Sequence, residues 1–215
     1  MRNAPVCDIV QRADFIRAEG MILLDTRRFM AFLGRAERLK CNTRHCVTST
    51  GRPESVAEHS WRAALMALLL AEEHPGMDMD RVIRMCLVHD LGEAVTGDIP
   101  TFLKTREDED VEDRAVESLL EGLDGPVREE LTGLFAEMKA QETPEARLFK
   151  AIDKLEGVLA HNEAPISSWE PLEYSLNRTY GEEEAQVSPA MSALRRAMRE
   201  DTDKKIAEEN GRKDR

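Results

Sequence analysis

The chain has 215 residues, of which 41% are hydrophobic, 33% charged and 5% aromatic, and its formal net charge is −12. That length suits one domain with a sizeable core. The acidity opposes nucleic-acid backbones and anionic membranes, and the scarcity of aromatics argues against a base-stacking surface.

The four cysteines, Cys7, Cys41, Cys46 and Cys86, form no CxxC pair and read as free thiols of a reducing compartment. The longest apolar run, AALMALLLA at 63–71, is far short of the ~20 residues that span a bilayer. The N-terminal MRNAPVCDIVQ lacks the apolar region of a signal peptide. A cytoplasmic protein without membrane or nucleic-acid partners is expected.

Apolar stripes at helical spacing predict helices over 8–19 and 25–38, with residues 1–24 an appended helical extension. Residues 41–53, CNTRHCVTSTGRP, read as a polar connector. Ser55 with Glu58 forms a capping box for a helix that Pro75-Gly76 stops. Val56, Trp61, Ala64, Leu65 and Leu68 give that helix its apolar stripe, and His74 at its end is expected to be exposed. Asp78 or Asp80 caps the next helix, which reaches about Asp90. Val82, Ile83, Met85, Cys86 and Val88 make it apolar on more than one face, as befits a central helix.

After an irregular 91–104 come an acidic-faced helix over 105–123 and helices over 127–140, 144–162 and 188–207. Pro165 and Pro171 bracket a looser stretch, and 208–215 is a frayed tail. With no sustained period-2 alternation, the expected fold is all-α: one helical bundle over 25–207.

The chemistry concentrates in CLVHDLGEAVTGDIP, residues 86–100, which sets His89, Asp90, Glu93 and Asp98 at the end of an apolar helix. Burying such groups is costly unless something compensates them. A divalent cation does so, because it takes imidazole nitrogen and carboxylate oxygen together. Glu93, four residues after His89, projects to the same side if helical geometry continues. Gly92 and Gly97 permit a tight turn. One His and one Asp are too few ligands. His59 in ESVAEHSWR is a plausible third, and Asp153 in LFKAIDKLEGVLA a fourth, unless it only pairs with Lys150 or Lys154.

Together, ESVAEHSWR, CLVHDLGEAVTGDIP and KAIDKLE resemble the HD-domain superfamily of metal-dependent phosphohydrolases, over roughly residues 26–185. More narrowly they resemble its branch of 5′-deoxynucleotidases acting on nucleoside monophosphates. The resemblance implies metal ligands at His59, His89, Asp90 and Asp153, an acid pair that assists catalysis at Glu93 and Asp98, and a phosphate-holding arginine at Arg44. It also implies a homodimer. Some relatives follow that arginine with tryptophan; here His45 stands there and is expected to face solvent.

Lys104 is a second phosphate contact or a surface lysine. Only His161 follows His89 in the chain, so one ion per site is favoured, with Mn²⁺, Co²⁺, Fe²⁺, Ni²⁺ and Zn²⁺ all suiting the donors. The rival readings are hydrolysis of another phosphomonoester or a nucleoside triphosphate, and a non-catalytic metal- or nucleotide-binding module.

Overall fold

The structure, a computed structural model, describes residues 25–213; the helix expected over 8–19 lies outside them. Asp25 caps α1 (Thr26–Ala36) by accepting from the N–H groups of Arg27 and Arg28. Then come β1 (Thr43–Val47), β2 (Pro53–Ser55), α2 (Val56–Leu69), α3 (Met79–Val88) and the single turn α4 (Glu93–Thr96). They are followed by α5 (Arg106–Leu120), α6 (Gly125–Ala140), α7 (Pro144–Glu163), α8 (Glu173–Thr179) and α9 (Pro189–Lys213). The fold is all-α apart from one small hairpin.

That hairpin corrects the reading of 41–53 as a connector. β1 and β2 pair antiparallel, Thr43 opposite Ser55 and Val47 opposite Pro53. Gly51 turns the chain at φ +82°, where only glycine is comfortable. The strands are too short, and too polar, to show an alternating pattern.

The core lies where α2, α3 and α7 meet, around Ala63, Ala67, Val82, Met85, Cys86, Leu148, Ile152 and Leu155. α3 is central, as its apolar run predicts. α2 holds a second correction. Its inward face is Val56, His59, Ser60, Ala63, Ala64 and Ala67, whereas Trp61, Leu65 and Leu68 of the expected stripe face outward. Small side chains let helix axes approach closely, and that proximity sets His59 beside the end of α3.

His74, expected at the surface, is buried. Its Nδ1 bonds the Leu70 carbonyl at 2.9 Å and its Nε2 the Ser188 hydroxyl at 2.8 Å. The turn at Pro75-Gly76 thus folds the ring under the start of α9. α9 also continues to Lys213, into the stretch expected as a frayed tail.

Candidate metal centre

Three elements bring the sequence-predicted donors together. His59 comes from the second turn of α2, started by the Ser55–Glu58 capping box that the sequence predicts. His89 and Asp90 follow α3 directly, and His89 is its C-cap. Asp153 comes from the middle of α7. His59 Nε2 lies 3.3 Å from His89 Nε2, 3.2 Å from Asp153 Oδ1 and 3.8 Å from Asp90 Oδ2. His89 Nε2 lies 3.1 Å from Asp90 Oδ2 and 3.5 Å from Asp153 Oδ1.

These separations fit one shared ion. Ligands about 2.1 Å from a common centre stand roughly 3.0 Å apart at 90° and about 3.4 Å apart at the tetrahedral angle. The hydrogen bonds behind the rings point the same way. His89 Nδ1 donates to the Cys86 carbonyl at 2.9 Å, which leaves its Nε2 with a lone pair. His59 Nδ1 is bonded to the Glu156 carboxylate, which does the same for its Nε2. Two bare nitrogens facing each other beside two carboxylates are a cation's donor set.

Without an ion, protons take its place. Burial lowers the His89 pKa, but Asp90 and Asp153 more than offset this and carry it well above the ordinary value. Asp153, despite burial, is held well below the carboxylate range by Lys150 and the two imidazoles. Lys150 Nζ pairs with Asp153 Oδ2 at 2.9 Å, so Asp153 makes the salt bridge and still turns Oδ1 inward.

Glu156 is a functional candidate that motif reading missed. It lies one turn beyond Asp153 and is fully buried. Besides His59 it accepts from Arg62 Nε at 2.6 Å, and Arg44 Nη1 stands 3.7 Å away. Its signal was available: an acid three residues after Asp153, on the buried side of α7. Losing such an outer partner costs ~10–100-fold in metal affinity. Glu156→Gln, which cannot accept as a charged group from both His59 and Arg62, should weaken metal affinity by that factor in a calorimetric titration. Unchanged affinity counts against the orienting role.

Arg44, on β1, reaches the same region. Its Nε lies 3.8 Å from Glu54, and neither Nε nor Nη1 has a hydrogen-bond partner among the described residues. Burial lowers its pKa, but Glu156, Asp90 and Glu54 raise it further, so it stays charged.

Glu93 opens α4 and is buried, held by two features of its segment. Gly92 fits against α5, where a Cβ would meet Glu112 Cγ at 2.7 Å. Gly97 ends the turn at φ +78°. Glu93, Asp90 and Glu112 can bring oxygens within 4.8 Å of one another. Burial, then the charges of Asp90, Asp98 and Glu112, push the Glu93 carboxyl up to about 9. Asp98 is raised chiefly by burial, with Arg44 pulling the other way and Asp90 raising it again. Lys104 is ion-paired with Glu112 on α5, and its charge is felt at Glu93 and Asp90.

The raised Glu93 pKa has a stability consequence with a definite sign. An unfolded glutamate loses its proton near ~4.3. The folded, metal-free protein keeps it to about 9. Between those values the native state binds the extra proton, so its stability falls as the pH rises. In chelator, thermal melts from pH 5 to 9 should show Glu93→Gln overtaking the wild type toward alkaline pH. Parallel profiles would contradict the raised pKa.

His45, expected to face solvent, is exposed, yet its ring is engaged. Its Nε2 bonds Glu173 at 2.7 Å, and its ring packs edge-on against Phe102 and His161. A buried carboxylate on α8 fixes the tip of the ring.

A helical bundle whose HD dipeptide, upstream histidine and downstream aspartate converge in this way defines a class of protein. The family model of the HD domain matches residues 36–195, and the chain belongs to that family. It is similar to the 5′-deoxynucleotidase HDDC2 of Homo sapiens, 30% identical over 153 residues, covering 70% of this chain and 71% of that one. The dATP triphosphohydrolase of Cyanophage S-2L is 36% identical over 129 residues, covering 57% of this chain and 66% of that one. Among solved structures, a predicted metal-dependent phosphohydrolase from Magnetospirillum magnetotacticum MS-1 superposes with a TM-score of 0.72 at 29% identity, covering 86% of this chain and 97% of that one.

Proposed function

We propose that this chain is a metal-dependent 5′-deoxynucleotidase, which hydrolyses the 5′-phosphate of deoxynucleoside monophosphates to nucleoside and orthophosphate. The observation that carries the reading is the pair of Nε2 atoms 3.3 Å apart, flanked by Asp90 and Asp153, with a partly buried arginine and two carboxyls of raised pKa in the same region. The HDDC2 relative supports the substrate class.

His59, His89, Asp90 and Asp153 hold one divalent ion of the Mn²⁺, Co²⁺, Fe²⁺, Ni²⁺ or Zn²⁺ group. When bound, such an ion polarises a phosphate oxygen and makes water acidic enough to attack at neutral pH. Arg44 takes the phosphate, because it stays charged beside the centre and a guanidinium grips phosphate oxygens two at a time. Glu93 and Asp98, both held above the ordinary carboxylate range, exchange protons with the attacking water and the leaving 5′ oxygen. Lys104 tunes the field at Glu93 from its pair with Glu112.

The dATP triphosphohydrolase relative favours a second reading, release of tripolyphosphate from a deoxynucleoside triphosphate. A panel of deoxynucleoside mono- and triphosphates, with products resolved by ion chromatography, separates the two. Orthophosphate from the monophosphates is the expected product. Tripolyphosphate from the triphosphates, with the monophosphates untouched, moves the function to the second reading.

No helix among the described residues is long and apolar enough to cross a membrane. Cys41, Cys46 and Cys86 are free thiols, which supports a cytoplasmic setting. Trp61, Leu65 and Leu68 stand exposed along one side of α2. We place the contact of a homodimer there, so Trp61→Glu should shift a sedimenting dimer to monomer. A dimer that survives that substitution argues for another face.

A further inference from the structure

A second group of nitrogen and carboxylate donors lies beyond the centre described above, and the proposed hydrolysis makes no use of it. His45 comes from β1, His161 from the last turn of α7 and Glu173 from the start of α8. Both rings turn Nε2 toward the same oxygen: Glu173 Oε1 is 2.7 Å from His45 and 2.9 Å from His161. Three ligating atoms, one from each residue, lie within 4.8 Å of one another.

The donors are held in place from behind. Glu173 Oε2 accepts from the Glu170 N–H at 2.7 Å, which leaves Oε1 for the rings. Trp169 packs against His161 and donates Nε1–H to its carbonyl at 2.9 Å. Glu173 and His161 are buried. His45, with its side chain 29% exposed, gives a route in from solvent. Burial holds the His161 imidazole neutral, with its pKa down at about 4, and a ligand imidazole must be neutral.

The same three residues line a cavity of about 40 Å³ with Thr101, Phe102 and Asn177. Asn177 is buried, and its Nδ2 has no hydrogen-bond partner among the described residues. A water needs ~10–15 Å³ of such space, so the cavity suits an ion's remaining small ligands. The Asn177 amide, among the lining residues, offers N–H groups that no described residue accepts.

We propose that His45, His161 and Glu173 form a second cation site, a two-histidine, one-glutamate set for a zinc-class ion with its open positions toward Asn177. That donor set is one that zinc takes when it keeps a position for water. The ion needs the two nitrogen–oxygen separations to widen by a few tenths of an ångström, which the partly exposed His45 can supply. His161 lies eight residues beyond Asp153 on α7, roughly 12 Å along the helix axis. The two sites are therefore not halves of a bridged pair, whose ions sit ~3.5–4 Å apart. Because His45 follows Arg44 on β1, an ion here ties the phosphate-binding strand to α7 and α8.

Metal counting after equilibrium dialysis against Co²⁺ tests this on the full chain, without reference to turnover. The wild type should bind two equivalents, His89→Ala one, Glu173→Gln one, and the double variant none. His45→Ala, at a partly exposed position, should repeat the loss seen with Glu173→Gln and guards against misfolding of the buried variant. If neither Glu173→Gln nor His45→Ala changes the wild-type stoichiometry, the site does not exist. If His89→Ala alone removes all bound metal, the proposal is likewise overturned.

Discussion

His89→Ala should lose one equivalent of bound metal and nearly all phosphate release, while its far-ultraviolet circular dichroism stays helical. The expectation follows from where His89 sits. It is the C-cap of α3, and its Nε2 faces His59, Asp90 and Asp153 at 3.1–3.5 Å. Removing the ring takes away one of only two nitrogen donors and leaves two partly buried acids without the ion that compensates them. A bound cation contributes several kcal/mol to a phosphoryl transition state, and each ~1.4 kcal/mol is a factor of ten in rate. A loss of at least about 10³-fold in kcat/KM is therefore expected. The helix should survive, because α3 is anchored by Val82, Met85 and Cys86, all fully buried. Full metal content with full activity in this variant would remove His89 from the centre.

Glu93→Gln is expected to behave differently: metal retained, kcat reduced by ~10²–10⁴-fold, the range for a lost general acid or base. Gln keeps the shape and the buried position against α5 but cannot exchange a proton. Its loss should fall mainly on kcat, because Arg44 and the ion, to which we assign phosphate binding, are untouched. The ordinary upward pH limb or downward limb assigned to Glu93 should also vanish from the kcat profile. A variant that keeps wild-type kcat leaves proton transfer to Asp98.

The site was more legible in the sequence than its surroundings. His59, His89, Asp90 and Asp153 are separated by up to 94 residues, yet the structure brings them within a few ångströms. Ionisable groups beside apolar helix faces suggest an ion there, and the resemblance to the HD superfamily is what assigns the four ligands. The helix starts were legible too: Ser55 with Glu58, and Asp78, carry their signal in a few adjacent residues.

What escaped was set by packing at a distance. The α2 stripe was misread because size was taken as a guide to burial, whereas close approach of α2 to α3 selects Ala63, Ala64 and Ala67 and leaves Trp61 outside. His45 and His74 gave no local sign of Glu173 and Ser188, their partners 128 and 114 residues away. The hairpin that carries Arg44 is too short for any periodicity to register. Glu156 went unnoticed because a motif names the residues that touch an ion, not those that orient them.

The central claim is that this chain cleaves a phosphomonoester at a cation held by two histidines and two aspartates. Orthophosphate release from deoxynucleoside monophosphates, followed before chelation, after verified metal removal and after return of a defined ion, tests it most directly. Release, then none, then recovery is expected, with no recovery in His89→Ala. Continued release after verified removal of the metal would contradict it.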